Sequence, residues 1–594
     1  MYERMALNGQ LRRSQNHTLN NPVIGVLSKV NQAAAVEEFF ELFKTPWEYY
    51  EPCRTYDVVV VTADVIPDVD ARLVLVYGAE IKSNDARNGI TALSRYRGES
   101  VDYQSAGVPI YGDLATFKPA GDSIPCLVAT SGIAGLRVAQ AAGQTVVRLG
   151  YDLFQEVHLL LSAGQPIEHA HLPTLDLHIS MLRNWILNEG IPLLEIPPAP
   201  KDHAFTVCLT HDIDFVGIRD HKFDHTMWGF LYRSTVGAVR NLFRRRIPVS
   251  RLLEMWRAAA SLPLVYLGWA KDFWSPFEWY LRVEKNLPTT YYLIPFKRHA
   301  GGHVPGKHPA WRATAYDVGD IRPWVATLGK EGCELGVHGI DAWHSVEQGR
   351  AELSRIAEIT RGSHIGIRMH WLLQDANTAS VLDEGGYAYD STAGYNETVG
   401  YRSGTTQVFR PLGAKTLLEL PLHIQDGALF YHNRLNLSES EAEKRCKDLI
   451  ANAGEFGGVL TVLWHDRSHG PERFWGDFYI RLVEVLKSSD AWFATAAQAV
   501  SWFRKRREVR FERTGTANGV LVFSGTEEEQ ETEAVPSLCI RVHRPSMKQD
   551  AGPSGGVFPY TDTEWNAQTV VNCDSFLGRV SEQPAGLSEL EIRR

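Results

Sequence analysis

Asp212 and Asp214, in Thr210-His211-Asp212-Ile213-Asp214, follow the apolar run Thr206 to Leu209 (TVCL). Two carboxylates two residues apart at a strand end are costly to bury without a counter-charge. A bound cation relieves the repulsion and divides the labour: one carboxylate ligates and the other takes a proton. The competing reading is a pair of solvated loop acids. His338, in Gly336-Val337-His338-Gly339-Ile340-Asp341-Ala342-Trp343-His344, also stands at a strand end, and the glycine after it suits a tight turn. Imidazole is the commonest metal ligand near neutral pH, although a single histidine is more often packed or capping. Arg368, in Ile367-Arg368-Met369-His370-Trp371, carries a permanent charge that either clamps a carboxylate or makes a surface ion pair. His465, in Leu463-Trp464-His465-Asp466-Arg467, is placed as a general acid that protonates a leaving group, or as a packed histidine.

The elements that must position these groups are readable as alternating strands and helices over about 201–505. Thr206 to Leu209, Thr290 to Ile294 (TYYLI), Glu334 to Val337 (ELGV) and Leu460 to Leu463 (LTVL) are strand-length apolar runs. They break into THDID, PFKRH, HGIDAWH and WHDRSH. Chemistry in α/β barrels and doubly wound sheets gathers at the carboxyl ends of strands, so these four ends predict a metal or acid–base site in a barrel mouth. The first 195 residues read as a further α/β unit. Val58 to Thr62 (VVVVT) and Leu73 to Tyr77 (LVLVY) have the pattern of buried strands, and 151–190 that of helices. The Pro-rich stretch IPLLEIPPAP then marks a boundary. From about 510 to 594 short β-like runs (GVLVFSG, LCIRVHRP) alternate with an acidic loop, TEEEQETEA, and a Gly/Pro-rich stretch, QDAGPSGG. This last part is expected to be a small β-rich appendage with a partly disordered tail.

The ordered set of an Asp pair, a His motif, an Arg motif and a Leu-x-His motif resembles the polysaccharide deacetylases with NodB homology, carbohydrate esterase family 4. The segments Phe273-Trp274, Pro288 to Tyr292 and Tyr389-Asp390-Ser391-Thr392 share the likeness. It covers about 201–505 and is nearest to a divergent branch with Leu-Thr-His-Asp-x-Asp and an extra N-terminal domain. The resemblance implies a distorted (β/α) barrel of about seven strands and a divalent metal, zinc being usual. It implies Asp212 as general base, Asp214 and His338 as metal ligands, Arg368 as the group holding Asp212, and His465 as the acid. The implied reaction removes acetyl groups from an N-acetylated sugar in a polysaccharide or glycolipid precursor. The family's second motif has its two histidines four residues apart. Here that position is Ala342, and the next histidine is His344. Residues i and i+6 do not share a helix face, so His344 ligates only from an irregular segment. His211, His370 and His465 are the alternatives. Trp371, Trp464 and Asp466, in or beside the motifs, are the expected substrate contacts.

The departure in the second motif leaves a catalytically weak glycan-binding or scaffold protein as one alternative. An amidase acting on a small non-sugar amide is another. With 61 Lys and Arg against 70 Asp and Glu the chain has a net charge of −9, which argues against a nucleic-acid coat protein. Seven widely spaced cysteines without a CxxC argue against a disulfide framework and a Cys-type zinc site. The first residues, MYERMALNGQLRRSQNHTLNN, contain no apolar run of a secretory leader, and no stretch is long enough to span a bilayer. The expected place is the cytoplasm, with the inner membrane face as a second site of action. That second expectation comes from an insertion at about 219–272. It carries Arg240, Arg244, Arg245, Arg246, Arg251 and Arg257 and then the apolar run Ala258 to Ala270. Such a segment reads either as an interfacial membrane contact through 240–270, near lipid-linked sugars, or as a helical hairpin packed on the barrel with its arginines solvated.

Overall fold

The computed structural model describes residues 23–104, 106–119, 121–140, 143–244, 247–302, 312–513, 519–524, 535–545, 558–565 and 568–572. Arg245 and Arg246, the TEEEQETEA loop, the QDAGPSGG stretch and both chain ends lie outside these residues.

Residues 205–508 are built on a nine-stranded sheet whose strand-to-strand pairings are all parallel among the described residues. Along its main path run Leu418–Glu419, Tyr389–Asp390, Ile367–Met369, Glu334–Gly339, Thr289–Leu293, Phe205–Ile213, Val459–Leu463 and Ile424–Gln425. Ala491–Phe493 pairs at the start of Phe205–Ile213. The central strands are buried throughout (Phe205–Ile213, Thr289–Leu293 and Val459–Leu463), as expected of a parallel sheet covered on both faces. Helices Arg322–Lys330, Val346–Thr360, Thr378–Gly385, Glu439–Phe456, Gly476–Lys487 and Ala496–Glu508 connect or flank the strands. The result is an α/β chain with a distorted, open (β/α) barrel. Its nine strands exceed the expected seven because several are only two or three residues long and leave little apolar pattern.

Two central strands run further than their apolar cores suggest. Phe205–Ile213 carries His211 and Asp212 inside the ladder, and Glu334–Gly339 carries His338. Gly339 serves close packing rather than a turn: a Cβ there would meet Met369 Sδ at 2.6 Å and Ile367 Cδ1 at 2.7 Å.

Residues 23–195 form a separate nine-stranded sheet with its own apolar core. Trp47–Tyr49, Ile24–Leu27, Tyr56–Val61, Ala71–Tyr77 and Thr145–Leu149 pair in parallel, and Gly132–Ala139, Ile124–Ala129, Ser100–Tyr103 and Ala106–Pro109 extend it antiparallel. Helices Ala33–Phe43, Leu153–Ser162 and Thr174–Asn188 contribute their apolar faces to that core. The Pro-rich stretch is not a bare linker. Its Leu193–Glu195 pairs antiparallel with Cys539–His543, which pairs with Tyr560–Glu564. A second three-stranded sheet, Val509–Arg513, Gly519–Ser524 and Gln568–Asn572, completes the β-rich C-terminal region.

The sheets are joined by buried polar cross-links. Arg506 donates to the carbonyls of Glu41 (3.0 Å), Leu42 (2.9 Å) and Ile196 (2.8 and 3.0 Å). Glu38 accepts both Nη atoms of Arg507 at 2.8 Å. Asp176 accepts from Thr405 Oγ1 (2.7 Å) and Thr406 N (2.8 Å).

The insertion after the first barrel strand is helical. His225–Tyr232, a π-helical turn Arg233–Gly237 and Ala238–Phe243 form one arm; Val249–Tyr266 forms the other.

Candidate metal centre and acid–base site

Strand alternation decides which side chains meet. Side chains two apart on a strand share a face, so Thr210, Asp212 and the following Asp214 turn inward together. Arg368 and His370 do the same, as do Leu463 and His465. All of them except Thr210 and Arg368 line one polar cavity of about 150 Å³, with Thr210 and Arg368 directly beneath Asp212.

At its centre, Asp214 Oδ1 lies 3.3 Å from His338 Nε2 and 3.3 Å from His370 Nε2. These three residues are the group among the described residues able to hold a metal ion. Several observations fit a cation. Asp214 Oδ1 is buried without a hydrogen-bond donor. His338 Nδ1 donates to the Arg368 carbonyl at 3.0 Å, which turns Nε2 toward Asp214. Ligand atoms around a tetrahedral zinc, with bonds of about 2.0–2.1 Å, stand about 3.3–3.4 Å apart, matching both separations. Burial pushes the His370 imidazole down to about 3, so it is neutral near pH 7. Burial alone would raise the Asp214 carboxyl, but the His370 and His338 rings, where protonated, hold it well below the usual carboxylate range. An anionic carboxylate beside a neutral imidazole is the form a divalent ion requires.

Beside this centre Asp212 accepts from Arg368 Nη1 at 3.0 Å, while His338 Nε2 is 4.0 Å from its other oxygen. The same Arg368 Nη1 donates to Thr210 Oγ1 (2.8 Å), Nη2 to Ser391 Oγ (2.8 Å) and Nε to the Ser391 carbonyl (3.0 Å). The guanidinium is fixed on every side, so the carboxylate it holds is fixed too.

His465 stands elsewhere on the cavity wall. Its Nδ1 is 2.5 Å from Asp426 Oδ1, and its backbone N–H donates to Asp426 Oδ2 at 2.8 Å. Burial disfavours the imidazolium, but the Asp426 carboxylate overcomes this and lifts His465 to about 10. His465 is therefore a charged acid at neutral pH, oriented by a fully buried carboxylate. Asp466 receives the Asp214 backbone N–H at 3.1 Å. Burial, then the neighbouring Asp214 charge, push Asp466 up to about 7. Trp371, Asn396, Tyr431, Arg434, Arg467 and Arg473 line the rest of the cavity.

Of the expected ligands, the structure unites Asp214 and His338 and sets His344 apart. His344 Nε2 is 3.2 Å from Asp341 Oδ1, an aspartate that His299 also contacts at 2.9 Å. The strand has ended at Gly339 and the next helix begins only at Val346, so the turn between them aims His344 away. His370 takes the third position. His211 falls on the opposite strand face, between the Trp464 carbonyl and Glu284. Of the expected substrate contacts, Trp371 and Asp466 line the cavity. Trp464 does not, because alternation turns its indole into the core, 5.9 Å from the Phe478 ring and nearly parallel to it. Asp426 was not foreseen. It follows the two-residue strand Ile424–Gln425, too short to show a period, although Leu-His-Ile-Gln-Asp repeats the apolar-to-polar break of the other strand ends.

No protein-family model matches the chain, and no curated protein does. Among solved structures, those it resembles include polysaccharide deacetylases, family 4 carbohydrate esterases and an allantoinase. Agd3, a novel carbohydrate deacetylase, aligns over 93% of this chain and 99% of its own, with 9% identity and a TM-score of 0.35. A family 4 carbohydrate esterase from Streptomyces lividans, in complex with acetate, covers 49% of this chain and 91% of its own (9% identity, TM-score 0.20). PuuE allantoinase covers 52% and 93% (15% identity, TM-score 0.31).

Proposed function

We propose that this chain is a metal-dependent hydrolase of the polysaccharide deacetylase type, removing acetyl groups from an N-acetylated sugar in a glycan or lipid-linked precursor. The observation that carries the reading is the Asp214–His338–His370 group between two preset proton carriers, Asp212 on Arg368 and His465 on Asp426. A divalent ion held by that group, zinc by the donor set, supplies Lewis acidity toward the acetyl carbonyl and acidifies a water molecule. Asp212, anchored by Arg368, accepts the proton of the attacking water. His465, kept charged by Asp426, donates a proton to the departing sugar nitrogen. Acetate and a free amino sugar leave. Trp371, Tyr431, Asn396 and Arg434 line the cavity, and they are the side chains a bound sugar would meet.

The test is acetate release from N-acetylated oligosaccharides, with metal content measured on the same samples. One tight divalent ion per chain is expected, and Asp214→Ala and His338→Ala each lose both metal and activity. Full activity of both variants in metal-depleted buffer overturns the mechanism. Hydrolysis of small amides with no turnover of any sugar overturns the substrate class alone.

A further inference from the structure

The helical insertion presents apolar side chains outward as well as inward. Among the described residues, every exposed Phe and Trp of the molecule lies within it: Phe223, Trp228, Phe243, Trp256 and Trp269. Phe243 is 84% and Trp269 78% exposed, far beyond what a packed hairpin requires.

The pattern is regular. On Val249–Tyr266 the buried residues Leu252, Met255, Leu262 and Val265 face the protein. Val249, Leu253, Trp256 and Leu264 are exposed, spaced by four, three and eight residues. At 3.6 residues per turn they fall on one stripe, a second apolar face on the same helix. The other arm repeats this with Trp228, Tyr232, Val236 and Phe243, all exposed. The two stripes join, because Val236, Val239, Trp256 and Ala259 line one shallow apolar cleft between the arms.

Charge distinguishes the occupant. The insertion, about 219–272, contains ten Lys and Arg and four Asp and Glu, in a chain whose total is −9. Among the described ones, Arg240, Arg244 and Arg257 are exposed beside the stripes. Apolar and aromatic faces rimmed by cations on helices too short and too polar to span are the makeup of segments that lie in a membrane interface. No helix among the described residues is long and apolar enough to cross a membrane.

We propose that this double stripe docks the protein onto an anionic lipid bilayer, with the aromatic side chains entering the interface and the arginines meeting lipid phosphates. The inward face of the hairpin rests on Phe474, next to Arg473 of the catalytic cavity, and Arg251 lies 4.1 Å over the Phe474 ring. The inference stands on the surface alone and is independent of the reaction proposed for the cavity.

The experiment is co-sedimentation of the full-length protein with phosphatidylcholine vesicles, with and without phosphatidylglycerol, at low and high salt, alongside tryptophan emission and solution mass. Expected are binding that needs the anionic lipid, weakening with salt, and a blue shift of emission. Leu253→Glu/Trp256→Glu should lose at least tenfold in vesicle affinity. Arg240→Gln/Arg257→Gln, which keeps the apolar stripes, should lose mainly the preference for anionic lipid. Circular dichroism and metal content show whether each variant is folded. Absence of binding at low salt overturns the proposal. A dimer that buries the stripes and ignores vesicles assigns the surface to a second copy and overturns it equally. Unchanged binding by a folded Leu253→Glu/Trp256→Glu protein does so too.

Discussion

Single residues here act through partners two or more elements away, and the His465–Asp426 pair shows it most plainly. Asp426 is buried and touches His465 twice, through the ring and through the backbone. It stabilises the imidazolium, so removing its charge must lower the His465 pKa from about 10. Asp426→Asn is expected to move the alkaline limb of the kcat/KM profile to lower pH by at least about one unit, with metal content unchanged. A limb that stays in place shows that His465 is not the acid. The ligand assignment makes a second prediction. His370→Ala should lose most of the bound metal, on the order of tenfold or more in affinity, and His344→Ala should lose none, as read by metal analysis after dialysis.

At the scale of elements, period-two alternation carries most of what the sequence made legible. Asp212 with Asp214, and His338 at its strand end, were readable because each ends a long apolar run. His370, one of the three alternatives to His344, was readable by the same rule, standing two residues after Arg368 on one face. Trp464 shows the rule from the other side, since a residue between Leu463 and His465 must face the core. Asp426, Tyr431 and Arg434 belong to short strands and turns without periodicity, so only the assembled fold brings them in. Glu352, on the helix Val346–Thr360, holds the turn behind His338 by accepting the N–H groups of Ile340 (2.9 Å) and Asp341 (2.7 Å). Burial pushes its carboxyl up to about 7 in the fold, against 4.5 ordinarily. The folded state thus holds this proton more tightly than the unfolded chain does. Its contribution is complete below pH 4.5 and is lost as pH rises through 7. Urea unfolding at about pH 5 and about pH 8 should therefore differ more in the parent than in Glu352→Gln, by about 3 kcal/mol. Equal differences in the two proteins contradict the assignment.

For the whole molecule, the boundaries drawn along the sequence matter less than the contacts across them. Arg506 sits on the last barrel helix, is 1% exposed, and ties the N-terminal helix Ala33–Phe43 and the Pro-rich stretch to the barrel. Its loss leaves several buried carbonyls without donors, at about 1–3 kcal/mol each. Arg506→Met is expected to lower stability by at least about 3 kcal/mol. Calorimetry of the parent should show the N-terminal sheet and the barrel melting together. Two well-separated transitions would show that the cross-links do not couple them.

The way the groups of the cavity are gathered also sets an order of events in time. Arg368 and Thr210, which share a hydrogen bond, are 158 residues apart in the chain, and Arg368 and His338 are 30 apart. Closing loops of such length is paid in chain entropy before any contact rewards it. The residues of the candidate centre therefore meet only when the parallel sheet is nearly complete, and a metal ion bound there would arrive late, on a finished scaffold. Such an ion would add stability by mass action without guiding the search, so a chelator should strip any bound metal and leave the fold standing.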